Sequence, residues 1–156
     1  MKRRLTILRH GKAAFFDGSG DDFSRPLTQR GIDDVTAAAK RLLANGLSVE
    51  LVVSSPAARA IATAKLAAGV LGVESIATDP IVYDGNEEDI LTAVRAFPDD
   101  CKSVLLVGHN PTLSELASFL LPEGGISLPA AGAVSLDFEC ESWTALQEAS
   151  ATLAFV

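Results

Sequence analysis

The sequence predicts an α/β fold of three layers, with helices on both faces of a mostly parallel central sheet. Three observations carry this reading. Apolar, strand-like runs alternate with helix-like segments along the whole chain. Two of those runs, "ELVVSS" and "SVLLVG", are apolar without alternation, as parallel strands buried on both faces are. Two strand-to-helix joints carry Ser-Pro and Asn-Pro steps, which suit helix starts.

The elements follow in order. Residues 5–8, "LTIL", form the first strand, which ends at once in Arg9-His10-Gly11. Residues 12–27, "KAAFFDGSGDDFSRPL", then form a loop. Connections in such units usually run about 2–6 residues, so a loop of this length is expected to be functional or mobile. A helix over residues 28–44 places Ile32, Val35, Ala39, Leu42 and Leu43 on one stripe, and Asn45-Gly46 stops it. A strand at 51–54 leads to a helix at 56–71, with Ser55 as N-cap and Pro56 as first helical residue. A weaker strand is expected at 75–77. A helix at 87–97 follows Gly85-Asn86 and ends before Pro98. The strand at 103–107 is followed by a helix at 111–121, opened by Asn110 and Pro111 and closed before Pro122. Strands at 133–138 and 152–156 complete the chain. With no repeat and no linker, residues 1–156 are expected to form a single domain.

Composition narrows the class. A chain of 156 residues with 48% hydrophobic content and no low-complexity tract builds a substantial core. A net charge of −7 argues against generic binding to nucleic acid or to an anionic membrane, while leaving room for a local cationic pocket. No apolar run approaches the roughly 20 residues that span a bilayer. The start, "MKRRLTILRHG", imitates a signal peptide, but its apolar part is too short for that role, so a cytoplasmic protein is expected. Cys101 and Cys140 lie far apart without a CxxC or Cys/His cluster, and read as plain buried or surface thiols. No metal and no cofactor are expected.

The chemistry-bearing residues gather at strand ends. In open α/β sheets ligands bind beyond the carboxyl ends of the strands. "RHG" follows the first strand, "SSPAAR" with Arg59 follows the second, and "GHNP" with His109 follows "SVLLV". Two helix N-termini would face the same edge, offering free N–H groups and partial positive charge. With Arg9, Arg59 and His109 added, the edge is an anion site. Arginine offers planar, bidentate donors for phosphate oxygens, so a phosphoryl ligand is expected. His10 then becomes a candidate nucleophile. A neutral imidazole attacks phosphorus with one ring nitrogen free and the other held by an acceptor, and Gly11 lets the backbone approach closely enough to supply that acceptor. There is no GxxxxGK[ST] loop and no cysteine-based cradle. The position of that cradle's arginine, six after the cysteine, holds Val107 after Cys101 and Leu146 after Cys140.

Four blocks, "LTILRHGKA", "SRPLTQRG", "VVSSPAARAIATA" and "VLLVGHNP", resemble the histidine phosphatase superfamily, also called the RHG or phosphoglycerate-mutase-like fold. The short chain, the "SRPLT" block and "GHNP" look most like the small SixA-type phosphohistidine phosphatases. The resemblance implies that His10 accepts the phosphate and that Arg9, Arg59 and His109 bind its equatorial oxygens. Gly11, Arg25 and Asn110 are the further phosphate- or substrate-binding candidates. Arg25 matches the arginine of "SRPLT"; an ordinary loop ion pair is the other reading of it. Larger relatives carry a glutamate general acid, and the corresponding stretch here, "IVYDGNEEDI", offers Asp84, Glu87 and Glu88 without selecting one. The chain also lacks the long insertions that enclose small substrates in mutases and sugar phosphatases. The activity expected is therefore metal-independent removal of phosphate from a phosphorylated, histidine-containing partner protein, with a place in signal transduction. Hydrolysis of a small phosphorylated metabolite is the alternative, and a non-catalytic phosphate-binding or docking module is the alternative of another class.

Overall fold

The first strand, β1 (Lys2–Arg9), runs through the interior of the sheet, and its residues Leu5, Ile7 and Leu8 have no solvent exposure. A computed structural model describes residues 2–15 and 20–156. Residues 16–19 of the long loop lie outside the described residues. The chain continues through α1 (Gln29–Ala44), β2 (Leu51–Ser54), α2 (Ala58–Leu71), β3 (Ile76–Thr78), α3 (Ile81–Asp84) and α4 (Glu87–Arg95). It ends with β4 (Ser103–Gly108), α5 (Thr112–Leu120), β5 (Ala133–Glu139), a 3₁₀ turn at Trp143–Ala145 and β6 (Thr152–Phe155).

The strands form one sheet in the order β3-β2-β4-β1-β5-β6. The β1–β4, β4–β2 and β2–β3 pairs are parallel, and the antiparallel β5 and β6 close one side. The unbroken apolar runs of β1, β2 and β4 lie at the centre because both of their faces are covered. On one face α1 and α2 pack Ala39, Leu42, Ala60 and Ala64 against Leu8, Val52 and Val107. On the other, α4 and α5 pack Ile90, Val94, Leu113 and Leu116 against Ile7, Val53 and Leu106, with Trp143 in the same cluster. This is the three-layer α/β/α arrangement expected. Burial of the valine, leucine and isoleucine side chains among these contributes about 1.5–3 kcal/mol each relative to leaving them exposed. Among the described residues no helix is long and apolar enough to cross a membrane.

The two helix starts that carry proline differ from the sequence expectation, for one reason. The α2 helix begins at Ala58 rather than at Pro56, because the Ser55 hydroxyl accepts from Ala57 N–H at 3.1 Å and holds an extended Ala57 ahead of the first turn. The α5 helix begins at Thr112, with Asn110 Oδ1 reaching the Ser114 N–H at 3.3 Å and the Ser114 hydroxyl at 2.7 Å. In both places the polar side chain precedes the helix as expected, and a turn intervenes. By contrast Asn86 caps α4 directly, in a reciprocal pair with Asp89. The short α3 carries no apolar periodicity and was not anticipated; the Asp79 carboxylate starts it by accepting from Ile81 N–H at 3.1 Å.

Candidate active site

Strand register assembles the site. Arg9 of β1 pairs with Gly108 of β4, and Val107 of β4 pairs with Ser54 of β2. Three parallel strands therefore stop level, and the residues that follow are His10, His109 and Ser55. The His10 N–H donates to Gly108 O and the Ser55 N–H to Val107 O, each at 3.0 Å, which extends the ladder just past the last strand residues. The imidazoles of His10 and His109 face each other with centroids 5.0 Å apart. Arg59, in the first turn of α2, brings its guanidinium to the same place, with Nε 3.4 Å from His10 Nε2. Arg9, His10, Arg59 and His109 thus converge at the carboxyl edge of the sheet.

The protonation of His10 follows from its partners. Its Nδ1 lies 2.7 Å from the Gly11 carbonyl, which can only accept. The proton therefore sits on Nδ1, and Nε2 turns a lone pair toward the Arg59 guanidinium. The carbonyl is itself held in place. Gly11 N–H donates to Thr63 Oγ1 at 3.1 Å, and the Thr63 hydroxyl donates to Arg59 O at 2.8 Å. A Cβ on Gly11 would stand 2.7 Å from Val35 Cγ2 and 2.8 Å from Gly31 O, so only glycine lets the segment lie this close to α1. Burial pushes the His10 imidazole down to about 4, with Arg59, Arg9 and Arg25 adding to the effect against the opposing bond to Gly11. The His109 imidazole is pushed down to about 3, by burial first and then by His10 and Arg59. Both rings are neutral near pH 7.

The cations differ in their engagement. Arg9 Nη1 donates to Leu128 O at 3.1 Å, and its buried Nε has no partner among the described residues. Asn110 does not face the histidines with its amide. Its Nδ2 donates to the same Leu128 carbonyl at 2.7 Å, so it braces the segment that positions Arg9. Arg59 is almost fully buried, and its two terminal nitrogens donate to Asp22, at 2.8 Å to the backbone oxygen and 3.0 Å to the carboxylate. Arg25 donates to the Asp22 carboxylate at 2.9 Å and to Ala14 O at 2.9 Å, so the ion-pair reading of that residue describes its contacts. His109 Nε2 lies 2.8 Å from the Ser55 hydroxyl, and its buried Nδ1 has no partner among the described residues.

Two residues at the site were not singled out from the sequence. The Asp22 carboxylate accepts from Arg59, from Arg25 and from the Tyr83 hydroxyl, the last at 2.9 Å. Desolvation works to raise its pKa, but the bonds from Tyr83, Arg25 and Arg59 outweigh it and hold the group at about 2. Tyr83 stands edge-on to His109 at 5.5 Å and to Phe23 at 5.1 Å. The signals were present. Asp22 precedes Arg25 by three positions in "DDFSR", a turn-pair spacing, and Tyr83 is the only tyrosine of the chain, inside "IVYDGNEEDI". The carboxylates named in that stretch lie elsewhere. Asp84 ends α3, and Glu87 and Glu88 line a separate pocket of about 100 Å³ with Leu91, Leu116 and Phe119. Among the described residues neither Asp84 nor Glu87 bonds to Arg9, His10, Arg59 or His109.

A neutral imidazole nitrogen with its lone pair beside the buried Arg59 guanidinium can receive a phosphoryl group. Comparison with known proteins gives the same picture. The model of the histidine phosphatase superfamily (branch 1) matches residues 5–82. An uncharacterised Mycobacterium tuberculosis protein, Rv1276c, is 32% identical over 132 residues, covering 84% of this chain and 80% of its own. A Nakamurella multipartitia protein assigned as phosphohistidine phosphatase SixA superposes with a TM-score of 0.82 at 28% identity, over 99% of this chain and 95% of that one. An Agrobacterium tumefaciens protein with the same assignment gives 0.76 at 28% identity, over 86% and 91%.

Proposed function

The chain belongs to the histidine phosphatase superfamily, and we propose that within it this protein removes phosphate from phosphohistidine on a partner protein, through a phosphorylated His10 and without a metal. One observation carries the reading: His10 is held as the Nδ1–H tautomer by Gly11 O, with Nε2 beside Arg59. In the first step the Nε2 lone pair forms an N–P bond while the bond from phosphorus to the leaving group breaks, its electron pair going to that group. Arg9, Arg59 and His109 stand around the transferred oxygens. In the second step water adds to phosphorus, its proton goes to solvent, and His10 leaves with Nδ1–H still on Gly11 O. The leaving ring is then neutral imidazole rather than an anion, so this step needs no separate acid.

The substrate class is supported by what surrounds the nucleophile. Expulsion of an alkoxide needs a proton donor, whereas a phosphohistidine ring that carries a proton on its far nitrogen, as it can near neutral pH, leaves as neutral imidazole. Among the described residues no carboxylic acid is placed to supply that proton: Asp22 is ionised and paired with arginines, and Asp84 and Glu87 bond to none of the four central residues. The likeness to two proteins assigned as phosphohistidine phosphatase SixA supports the same class. The test is turnover by purified protein of phosphohistidine-bearing proteins beside a panel of phosphorylated metabolites. Higher kcat/KM on phosphohistidine is expected. Efficient hydrolysis of a metabolite alone would transfer the assignment to the metabolite-phosphatase reading, and phosphate binding without any turnover to a docking module.

A further inference from the structure

We propose that Asp22 is a specificity-determining residue: its carboxylate accepts the N–H on the far nitrogen of the phosphohistidine ring, opposite the nitrogen that carries phosphorus. This inference rests on the substrate class proposed above and adds the group that reads it.

The geometry places the carboxylate where the leaving group emerges. In-line attack by His10 Nε2 expels the leaving nitrogen on the side of phosphorus away from His10. Arg59 spans that distance, with Nε 3.4 Å from the nucleophile and Nη2 3.0 Å from Asp22 Oδ2. Asp22 therefore stands across the guanidinium from the nucleophile, and its side chain is 41% exposed while that of Arg59 is 6% exposed. The Tyr83 hydroxyl fixes the same oxygen at 2.9 Å, and Phe23 packs edge-on against Tyr83 beside it. In the free protein Asp22 accepts from Arg25 on Oδ1 and from Arg59 and Tyr83 on Oδ2. A bound phosphoryl group draws Arg59 to its own oxygens and leaves an Oδ2 lone pair for a new donor.

The chemistry gives that bond a purpose. A phosphohistidine ring whose far nitrogen is unprotonated would have to depart as an imidazolate anion. With the far nitrogen protonated, the P–N electron pair goes to the near nitrogen, the far proton stays in place, and neutral imidazole departs. An ionised carboxylate on that N–H favours the protonated, reactive form. The two rings are then treated alike: Gly11 O holds the far proton of the nucleophile, and Asp22 holds the far proton of the leaving group. A sugar or aryl phosphate has no such N–H and gains nothing from Asp22.

The experiment compares kcat/KM on phosphoimidazole, a phosphohistidine-bearing peptide and p-nitrophenyl phosphate for the parent, Asp22→Asn and Asp22→Glu, with circular dichroism to confirm folding. The asparagine variant should lose roughly tenfold more on the two P–N substrates than on the aryl ester, the size of one hydrogen bond to a charged group. The glutamate variant should recover part of the preference. Equal losses on all three substrates would overturn the inference, reducing Asp22 to a support for Arg59, and would leave the proposed function standing. Parent protein that hydrolyses only the aryl ester would overturn the proposed function and this inference together.

Discussion

The His10 and His109 rings lie 5.0 Å apart with their planes inclined by 59°. Two imidazoles this close, both removed from water and next to arginine, resist protonation. With values of about 4 and about 3, neither ring should gain a proton near the ordinary imidazole pKa of about 6.5. Nitrogen-15 NMR of the free protein should show both rings neutral between about pH 8 and pH 5, with His10 as the Nδ1–H tautomer. An inflection near the ordinary imidazole value at either ring would contradict this.

The same shifts make stability depend on pH, and the sign is fixed. Both folded values lie below the unfolded one, so between them the unfolded state binds more protons. Unfolding free energy should fall as pH drops from about 6.5 to about 4, and His109→Asn should flatten that slope. The depressed Asp22 value acts in a lower window. Its contribution is present above the ordinary carboxylate range and is lost as pH falls through about 2. Chemical denaturation across this range checks both; a slope unchanged by the His109 substitution would sink the first claim.

The covalent step proposed at His10 has its own signature. A phosphoramidate is acid-labile and alkali-stable, so rapid-quench labelling should yield an adduct with that behaviour, mapped to the peptide that contains His10. His10→Ala should abolish turnover with the fold retained. Label on another residue would rule the scheme out.

In the proposed function Arg59 and Arg9 act on charge that develops at the phosphoryl oxygens. Loss of one such donor typically costs on the order of 10²–10³ in kcat. Arg59→Lys should not restore the rate, because it lacks the planar fork that reaches toward His10 and Asp22 together. Vanadate should inhibit the parent and chelators should not. Native turnover in the lysine variant would contradict this role.

Gly11 joins the fold to the chemistry. Alanine there would meet Val35 and Gly31, and overpacking of this kind costs about 1–3 kcal/mol. Relief of the clash moves the carbonyl that holds His10 Nδ1, so both the Tm and kcat should fall. A variant that loses stability but keeps kcat would separate the two roles.

These residues also mark what the sequence made legible. Arg9, His10 and His109 stand at the ends of β1 and β4, and Arg59 lies in the first helical turn after β2; parallel register brings these three strand ends together. Asp22 and Tyr83 are different. They approach Arg59 from a long loop and a one-turn helix, which carry no hydrophobic period and so no positional signal. Asn110 shows the limit in the other direction. Its place beside His109 was legible, but the direction of its amide depends on the Leu128 carbonyl, a contact 18 residues away that no local pattern encodes.

The remaining carboxylates test the substrate class from the opposite side. Asp84 and Glu87 were the acids offered by "IVYDGNEEDI", and neither bonds to the four residues around the nucleophile. If imidazole is the leaving group, neither is needed for its departure. Asp84→Asn and Glu87→Gln should each leave phosphohistidine turnover within about tenfold, well short of the roughly 10²–10⁴ that a general acid contributes. Alkyl phosphates should be poor substrates of the parent and activated aryl phosphates better, because the second class leaves without a proton. The measurement is kcat/KM across leaving groups of graded pKa for the parent and both variants. Efficient alkyl phosphate hydrolysis that one of the two substitutions abolishes would overturn the phosphohistidine assignment. It would make that carboxylate the acid of a metabolite phosphatase, which reaches the site only once substrate is bound.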